Sequence, residues 1–296
     1  MKSAVTICLL PEARQGPFVF HDGLAAACQV AAQLGYDAVE VLAASGQTFP
    51  VTELQSLLAA HGLQLAAVGT GAGWIKHKLH LCHQQASVRT EAADFITGII
   101  DAAGACGAPA IIGSMQGCFA GAVSRDKALD LLADSLATLS DKASRHGQTL
   151  LYEPLNRYET NLFNRQADAA DFLKQRSLHN VRLLCDLFHM NIEEADSAAA
   201  IRAVAPHIGH VHWADSNRLA MGLGHTDPRP VIACLREIGY HGYLSAEIFP
   251  LPTATSAAQT SLESLRKVIT VVTAITAITN PTPHFEPGRK AINLAD

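Results

Sequence analysis

In the second half of this 296-residue chain, four residues of metal-ligating type close four successive apolar, β-rich runs. Glu153 ends LLYE, Asp186 ends VRLLCD, His212 ends IGHVH and Glu247 ends YLSAE. Three carboxylates brought to one point repel, and at least one keeps its proton unless a cation joins them. A divalent metal removes that conflict. A mixed oxygen and nitrogen donor set suits Mn²⁺ first, with Co²⁺ or Mg²⁺ as alternatives, whereas thiolate-rich sites take zinc.

Those four residues meet only if the elements carrying them are neighbours. Eight short runs read as strands, at residues 5–10, 38–42, 64–68, 110–113, 149–153, 181–186, 208–212 and 243–247. Stretches of helical periodicity alternate with them, at residues 24–34, 51–61, 88–106, 127–146, 167–174, 195–204 and 231–238, and a closing one at 258–275. Gly35, Gly62, Gly107 and Gly239 stand where helix C-caps should hand over to strands. Strand–helix alternation repeated eight times predicts an α/β fold, a (β/α)8 TIM barrel, with an open doubly wound sheet as the weaker arrangement. In such a barrel the C-terminal strand ends build the active site, which is where the four residues fall. The expected organisation is one catalytic domain over residues 1–279 and a Pro-containing C-terminal tail over 280–296.

Composition narrows the functional classes. Apolar residues make up 49% and charged ones 17%, which excludes disorder. A net charge of −5 without a basic run argues against nucleic acid or a membrane surface as partner. The early residues Pro11, Glu12 and Arg14 interrupt any signal-peptide core. Seven singly scattered cysteines, Cys8, Cys28, Cys82, Cys106, Cys118, Cys185 and Cys234, read as reduced core thiols, and the expected location is the cytoplasm.

The motifs EPLNRYETN (153–161), CDLFHMNIEE (185–194), GHVHWADSNR (209–218) and SAEIFP (245–250) resemble the D-tagatose 3-epimerase family of xylose-isomerase-like barrels. The resemblance covers the last four strands, about a third of the chain. It implies that Glu153, Asp186, His212 and Glu247 hold the metal and that Glu159, His189 and Arg218 contact the sugar. It also implies a sugar as the small-molecule partner; the expected assembly is a homo-oligomer, a dimer or tetramer. The stretch HWADSNRLAMGLGHTD (212–227) reads more like related keto-acid sugar epimerases and sugar-phosphate isomerases, which bears on the substrate more than on the chemistry.

The chemistry expected is inversion of a ketose at C3. A cation chelated by the carbonyl and the adjacent hydroxyl acidifies the C3 proton and stabilises an enediolate. Glu153 and Glu247 would serve as two bases, one removing the proton and the other returning it to the opposite face, since a single base working from one side does not invert the centre. His189 would bond a substrate oxygen, Glu159 would orient the O1 and O2 end, and Arg218 would offset negative charge at O2 or anchor a carboxylate or phosphate. An aldose–ketose or hydroxypyruvate-type isomerase is the alternative on the same barrel. An abasic-site endonuclease is remote, because it needs further histidine ligands and a basic groove.

Other conspicuous residues receive plainer readings. Glu40 is expected to be a buried carboxylate paired with a neighbouring strand-end group. His77, His80 and His83, placed on a helix, would fan apart rather than converge on a second metal, so a solvated or lid segment is expected. Trp74 either stacks on a sugar or caps the mouth. The GLGH stretch (222–225) reads as a turn rather than a phosphate cradle, with His225 open as an extra contact.

Overall fold

The structure is a computed structural model and describes residues 1–279. The expected tail at 280–296 lies outside the described residues. Eight parallel strands close into a barrel in sequence order: β1 (Lys2–Cys8), β2 (Ala38–Leu42), β3 (Gln64–Gly69), β4 (Ala110–Ile112), β5 (Leu150–Tyr152), β6 (Val181–Asp186), β7 (Ile208–His212) and β8 (Tyr243–Ala246). β8 pairs with β1, which closes the ring and leaves no sheet edge. The predicted TIM barrel is therefore the observed fold, and the open sheet is not.

Ten α-helices connect and surround the strands among the described residues: α1 (Leu24–Leu34), α2 (Val51–His61), α3 (Ala72–His77), α4 (Ala86–Ala105), α5 (Arg125–Ser144), α6 (Gln166–Gln175), α7 (Leu187–Glu193), α8 (Ser197–Ala203), α9 (Arg229–Glu237) and α10 (Ala254–Thr279). Gly35 and Gly62 end α1 and α2 in the left-handed region, at φ 88° and 67°, where a side chain would be strained. None of the helices among the described residues is long and apolar enough to cross a membrane.

Two helices are absent from the sequence reading. The six-residue α3 and seven-residue α7 are too short for a periodic pattern to declare itself. α7 starts directly at the end of β6 because the Asp186 side chain accepts from the backbone N–H groups of Phe188 and His189. α3 ends at His77, where Lys78 adopts φ 55°, so His80 and His83 lie beyond the helix on which they had been placed.

The barrel's interior side chains are small at one level and polar above it. Ala4, Ala38 and Ala66 form one buried cluster, and Ala67, Ile111, Leu151 and Leu184 form another. Two residues beyond Ala38, on the same face of β2, stands Glu40. Two residues apart on β7, His210 and His212 share a face in the same way. The main apolar core fills the space between the strands and the helical ring. It seals the barrel from outside and leaves the C-terminal strand ends as the place where charge converges.

Candidate active site and metal centre

Glu153 and Glu247 stand just past β5 and β8 rather than inside them. Pro154 follows the first, with no N–H to continue a ladder, and the backbone N–H of Glu247 turns back to the carbonyl of Ser245 at 3.0 Å. Asp186 and His212 are the last residues of β6 and β7 and pair directly in register. One ligand atom from each of the four residues lies within 4.8 Å of the others, so the sequence-derived quartet converges.

His212 sits at the centre of the group. Its Nδ1 lies 3.1 Å from Asp186 Oδ2, 3.3 Å from Glu247 Oε2 and 3.5 Å from Glu153 Oε1. Burial disfavours the imidazolium, but the Glu247 and Glu40 carboxylates outweigh it and hold the ring's pKa well above its ordinary value. Burial pushes Glu153 the other way, up to about 8; His212 opposes the rise, and Glu247 and Asp186 add to it. Asp186, despite full burial, is held far below the usual carboxylate range by Arg218, His189 and His212.

Glu153 Oε1 is buried and has no hydrogen-bond partner. An orphaned carboxylate oxygen beside two further carboxylates and an imidazole is a donor set that fits a divalent cation with oxygen and nitrogen ligands. Glu153, Asp186, His212 and Glu247 are the residues that could hold it.

The three residues expected at the substrate are arranged around this centre. His189, on α7, is buried, with Nε2 3.8 Å from Glu153 Oε1 and 3.9 Å from Asp186 Oδ2. Arg218 is buried in a left-handed conformation (φ 61°), its guanidinium 4.7 Å above the ring of Phe188. Its Nη1 lies 2.9 Å from Asp186 Oδ2, and its Nη2 donates to Glu247 Oε2. Glu159 is exposed on the loop after β5 and accepts from Asn156 Nδ2 at 2.9 Å. All three line one cavity of about 400 Å³ at the barrel mouth, within the size range of small-molecule sites.

The far wall of that cavity comes from the first half of the chain. Pro17, Phe18, Leu42, Trp74 and Ile75 make it largely apolar, and Glu12 adds a carboxylate. Trp74 lines the cavity, with Lys78 5.0 Å over its ring and His80 edge-on at 5.8 Å. His80 and His83 pack ring to ring at 5.1 Å. Among the described residues, the histidines at 77, 80 and 83 join no cluster of three ligating groups.

Sequence reasoning passed over Asn156, which donates to both His189 and Glu159. It passed over Gly113, whose Cα faces Glu153 so closely that an added Cβ would lie 2.6 Å from Oε2. His210 was missed as well, although the HVH spacing that turns two histidines to one face was visible. Glu40 is buried and paired as expected, yet its partners are His210 and His212 on β7, across the barrel rather than on an adjoining strand. The GLGH loop is a turn wrapped around Asp215, whose carboxylate accepts from the N–H groups of Ser216, Gly222, Gly224 and Thr226. Its amides are therefore engaged within the chain. His225 is not among the residues lining the cavity.

Comparison with known proteins agrees with this architecture. The family described as a xylose isomerase-like TIM barrel matches residues 28–268. The chain is 38% identical to 3-dehydro-D-guloside 4-epimerase of Escherichia coli (strain K12) over 117 residues, 40% of this chain and 45% of that enzyme, so it spans under half of that relative's length. It is 31% identical over 225 residues to D-psicose 3-epimerase of Agrobacterium fabrum (strain C58), covering 74% of this chain and 76% of the relative. A solved structure of L-ribulose 3-epimerase superposes with a TM-score of 0.79 at 23% identity, covering 96% of this chain and 99% of that one. Fold, strand-end residues and sequence match lead to one conclusion: the chain belongs to the xylose isomerase-like TIM barrel family, and the relatives it resembles there are sugar epimerases.

Proposed function

We propose that this protein is a divalent-metal-dependent epimerase that inverts a ketose, or a related keto-sugar, at the carbon beside its ketone, C3 in a 2-ketose. The observation that carries the reading is the convergence of Glu153, Asp186, His212 and Glu247 within one cavity, with Glu153 and Glu247 arriving from strands separated by β6 and β7. The A. fabrum and E. coli relatives support it, because each of those enzymes inverts a carbon next to a ketone.

A divalent cation held by the four residues, Mn²⁺ by preference, would polarise the ketone and acidify the neighbouring C–H. Glu153 and Glu247 then act as the base pair: one carboxylate takes the proton from one face and the other returns a proton from the opposite face. The neutral His189 ring presents Nε2–H to a sugar oxygen. Arg218, fixed between Asp186 and Glu247, places positive charge beside the oxygen that becomes negative. Glu159, at the cavity rim, orients the open end of the sugar.

The substrate we assign is uncharged. Arg218 and the imidazoles of His189 and His212 all face carboxylates, and Lys76 beside the mouth pairs with Glu12 at 3.4 Å. Each of these groups already has a carboxylate partner, which disfavours a sugar phosphate or sugar acid. The seven unpaired cysteines suit a reducing compartment, and we place the enzyme in the cytoplasm as a homo-oligomer.

The test is incubation of the Mn²⁺-loaded protein with a panel of ketoses in deuterated water. Deuterium at C3 with inversion is expected. Label at C1 or C2 with an aldose product identifies an isomerase instead, and absence of exchange in every sugar overturns both readings.

A further inference from the structure

Glu40 is a buried carboxylate, 4% exposed, on a strand whose other residues are Ala38, Val39, Val41 and Leu42. An apolar side chain there would suit the barrel, and burying an ionised group costs free energy that the fold does not require. Its two oxygens have separate partners. Oε2 lies 2.7 Å from His210 Nε2, and Oε1 lies 3.1 Å from His212 Nε2.

The pairing has a geometric consequence for His212. An imidazole has two ring nitrogens, and with Nε2 directed at Glu40 only Nδ1 can face Glu153, Asp186 and Glu247. His210 holds the second oxygen of Glu40, so the carboxylate cannot swing away from His212. The two rings cross at 86° with centroids 5.5 Å apart, each meeting Glu40 through Nε2.

We propose that Glu40 and His210 are positioning residues of the metal centre: Glu40 fixes the orientation and tautomer of His212, and His210 fixes Glu40. The proposal rests on the reading that Glu153, Asp186, His212 and Glu247 hold a divalent cation. Groups that orient a metal-bound histidine commonly govern metal affinity by about 10- to 100-fold. Glu40, His210 and His212 could also be imagined as a second metal site. The direct 2.7 Å hydrogen bond instead uses the lone pairs that a second ion would need.

The deciding experiment is Mn²⁺ titration of the full-length protein, following free Mn²⁺ by electron paramagnetic resonance, with the melting temperature of each metal-free variant measured alongside. Wild type is expected to bind one ion. Glu40→Ala is expected to raise Kd about 10- to 100-fold, and Glu40→Gln, which keeps an acceptor for His212 Nε2, to recover most of the loss. In the Mg²⁺-loaded protein, the hydrogen-bonded Nε2–H resonance of His212 is expected in wild type and lost in Glu40→Ala. Equal Kd in all three proteins, with only the melting temperature changed, means a purely structural role and overturns the inference. Two bound ions in wild type overturn it as well. Should Glu40→Ala not fold, His210→Leu leaves Glu40 in place and removes the donor that tethers it, and an unchanged Kd there is equally fatal. A wild type that binds no divalent ion sinks the epimerase reading itself, a result distinct from an unaltered variant.

Discussion

The side-chain amide of Asn156 donates to His189 Nδ1 across 2.7 Å, and that bond decides which nitrogen of His189 faces Glu153 and Asp186. The backbone N–H of Asn156 points to the same nitrogen at 3.3 Å. Nδ1 is thus an acceptor, and the neutral ring carries its proton on Nε2, toward Glu153 and Asp186. Burial lowers the His189 pKa, and the Arg218 charge reinforces this against the pull of Asp186, which keeps the ring in that neutral form.

Asn156→Asp therefore exchanges a donor for an acceptor and should drive the His189 proton from Nε2 to Nδ1. We expect kcat/KM to fall about tenfold or more, the effect of losing one positioned hydrogen bond, with Mn²⁺ affinity little changed. Nitrogen-15 spectra of His189 report the tautomer directly. Wild-type kinetics together with a shifted tautomer would separate His189 from the reaction.

Gly113 allows Glu153 its position. A methyl group there would stand 2.6 Å from Glu153 Oε2, inside contact distance, and would displace the carboxylate. Gly113→Ala should leave the circular dichroism and overall fold unchanged while reducing turnover by about 100-fold through a misplaced base and ligand. Retention of full activity and metal affinity would show that Glu153 tolerates the displacement.

The stability of the metal-free protein should carry the signature of Glu153. Its carboxyl, near 4.5 when solvated, is raised by burial to about 8. The folded state then binds a proton more tightly than the unfolded state between those values. The resulting stability is complete below the lower value and is lost as pH rises through the upper. Glu153→Gln is neutral throughout, so its melting temperature should exceed that of metal-free wild type by several degrees at pH 8.5 and hardly at all at pH 5. A difference that does not vary with pH would assign the shift to another group.

Asp215 should show the opposite sign. Burial raises its pKa, but the N–H groups of Thr226, Gly224, Ser216 and Gly222 lower it to about 2 from 3.8. The stabilisation is present above the solvated value and disappears as pH falls through the folded one. Asp215→Asn should cost about 1–3 kcal/mol at pH 7, because an amide cannot satisfy the same set of donors, and the gap from wild type should close in acid. Urea unfolding at pH 7 and near pH 2 measures both.

The barrel was legible because period and length agree: apolar strands of three to seven residues alternate with amphipathic helices, and Gly35 and Gly62 mark two of the handovers. The convergence of the four was legible because each ends a strand or directly follows one, and adjacent parallel strands bring their ends together. Apart from Trp74, the far wall of the cavity was not, since Phe18 reaches it from a loop and Ile75 from the six-residue α3, too short for a period to declare it. Nor was Asn156, whose role arises from a hydrogen bond to His189, 33 residues away. Glu40 was recognised as buried and paired, but its partners sit across the barrel interior, where no pattern along one strand points.

Asp186 divides its oxygens between two tasks. Oδ1 caps α7 through Phe188 and His189, while Oδ2 faces His212 and Arg218. A descendant barrel that abandoned catalysis would still need the cap, so an aspartate here would persist after the chemistry had gone. Glu153, whose Oε1 accepts no hydrogen bond within the fold, has no such second reason to stay. Relatives of this chain are therefore expected to sort into working enzymes and silent ones by their residue at position 153 rather than at position 186.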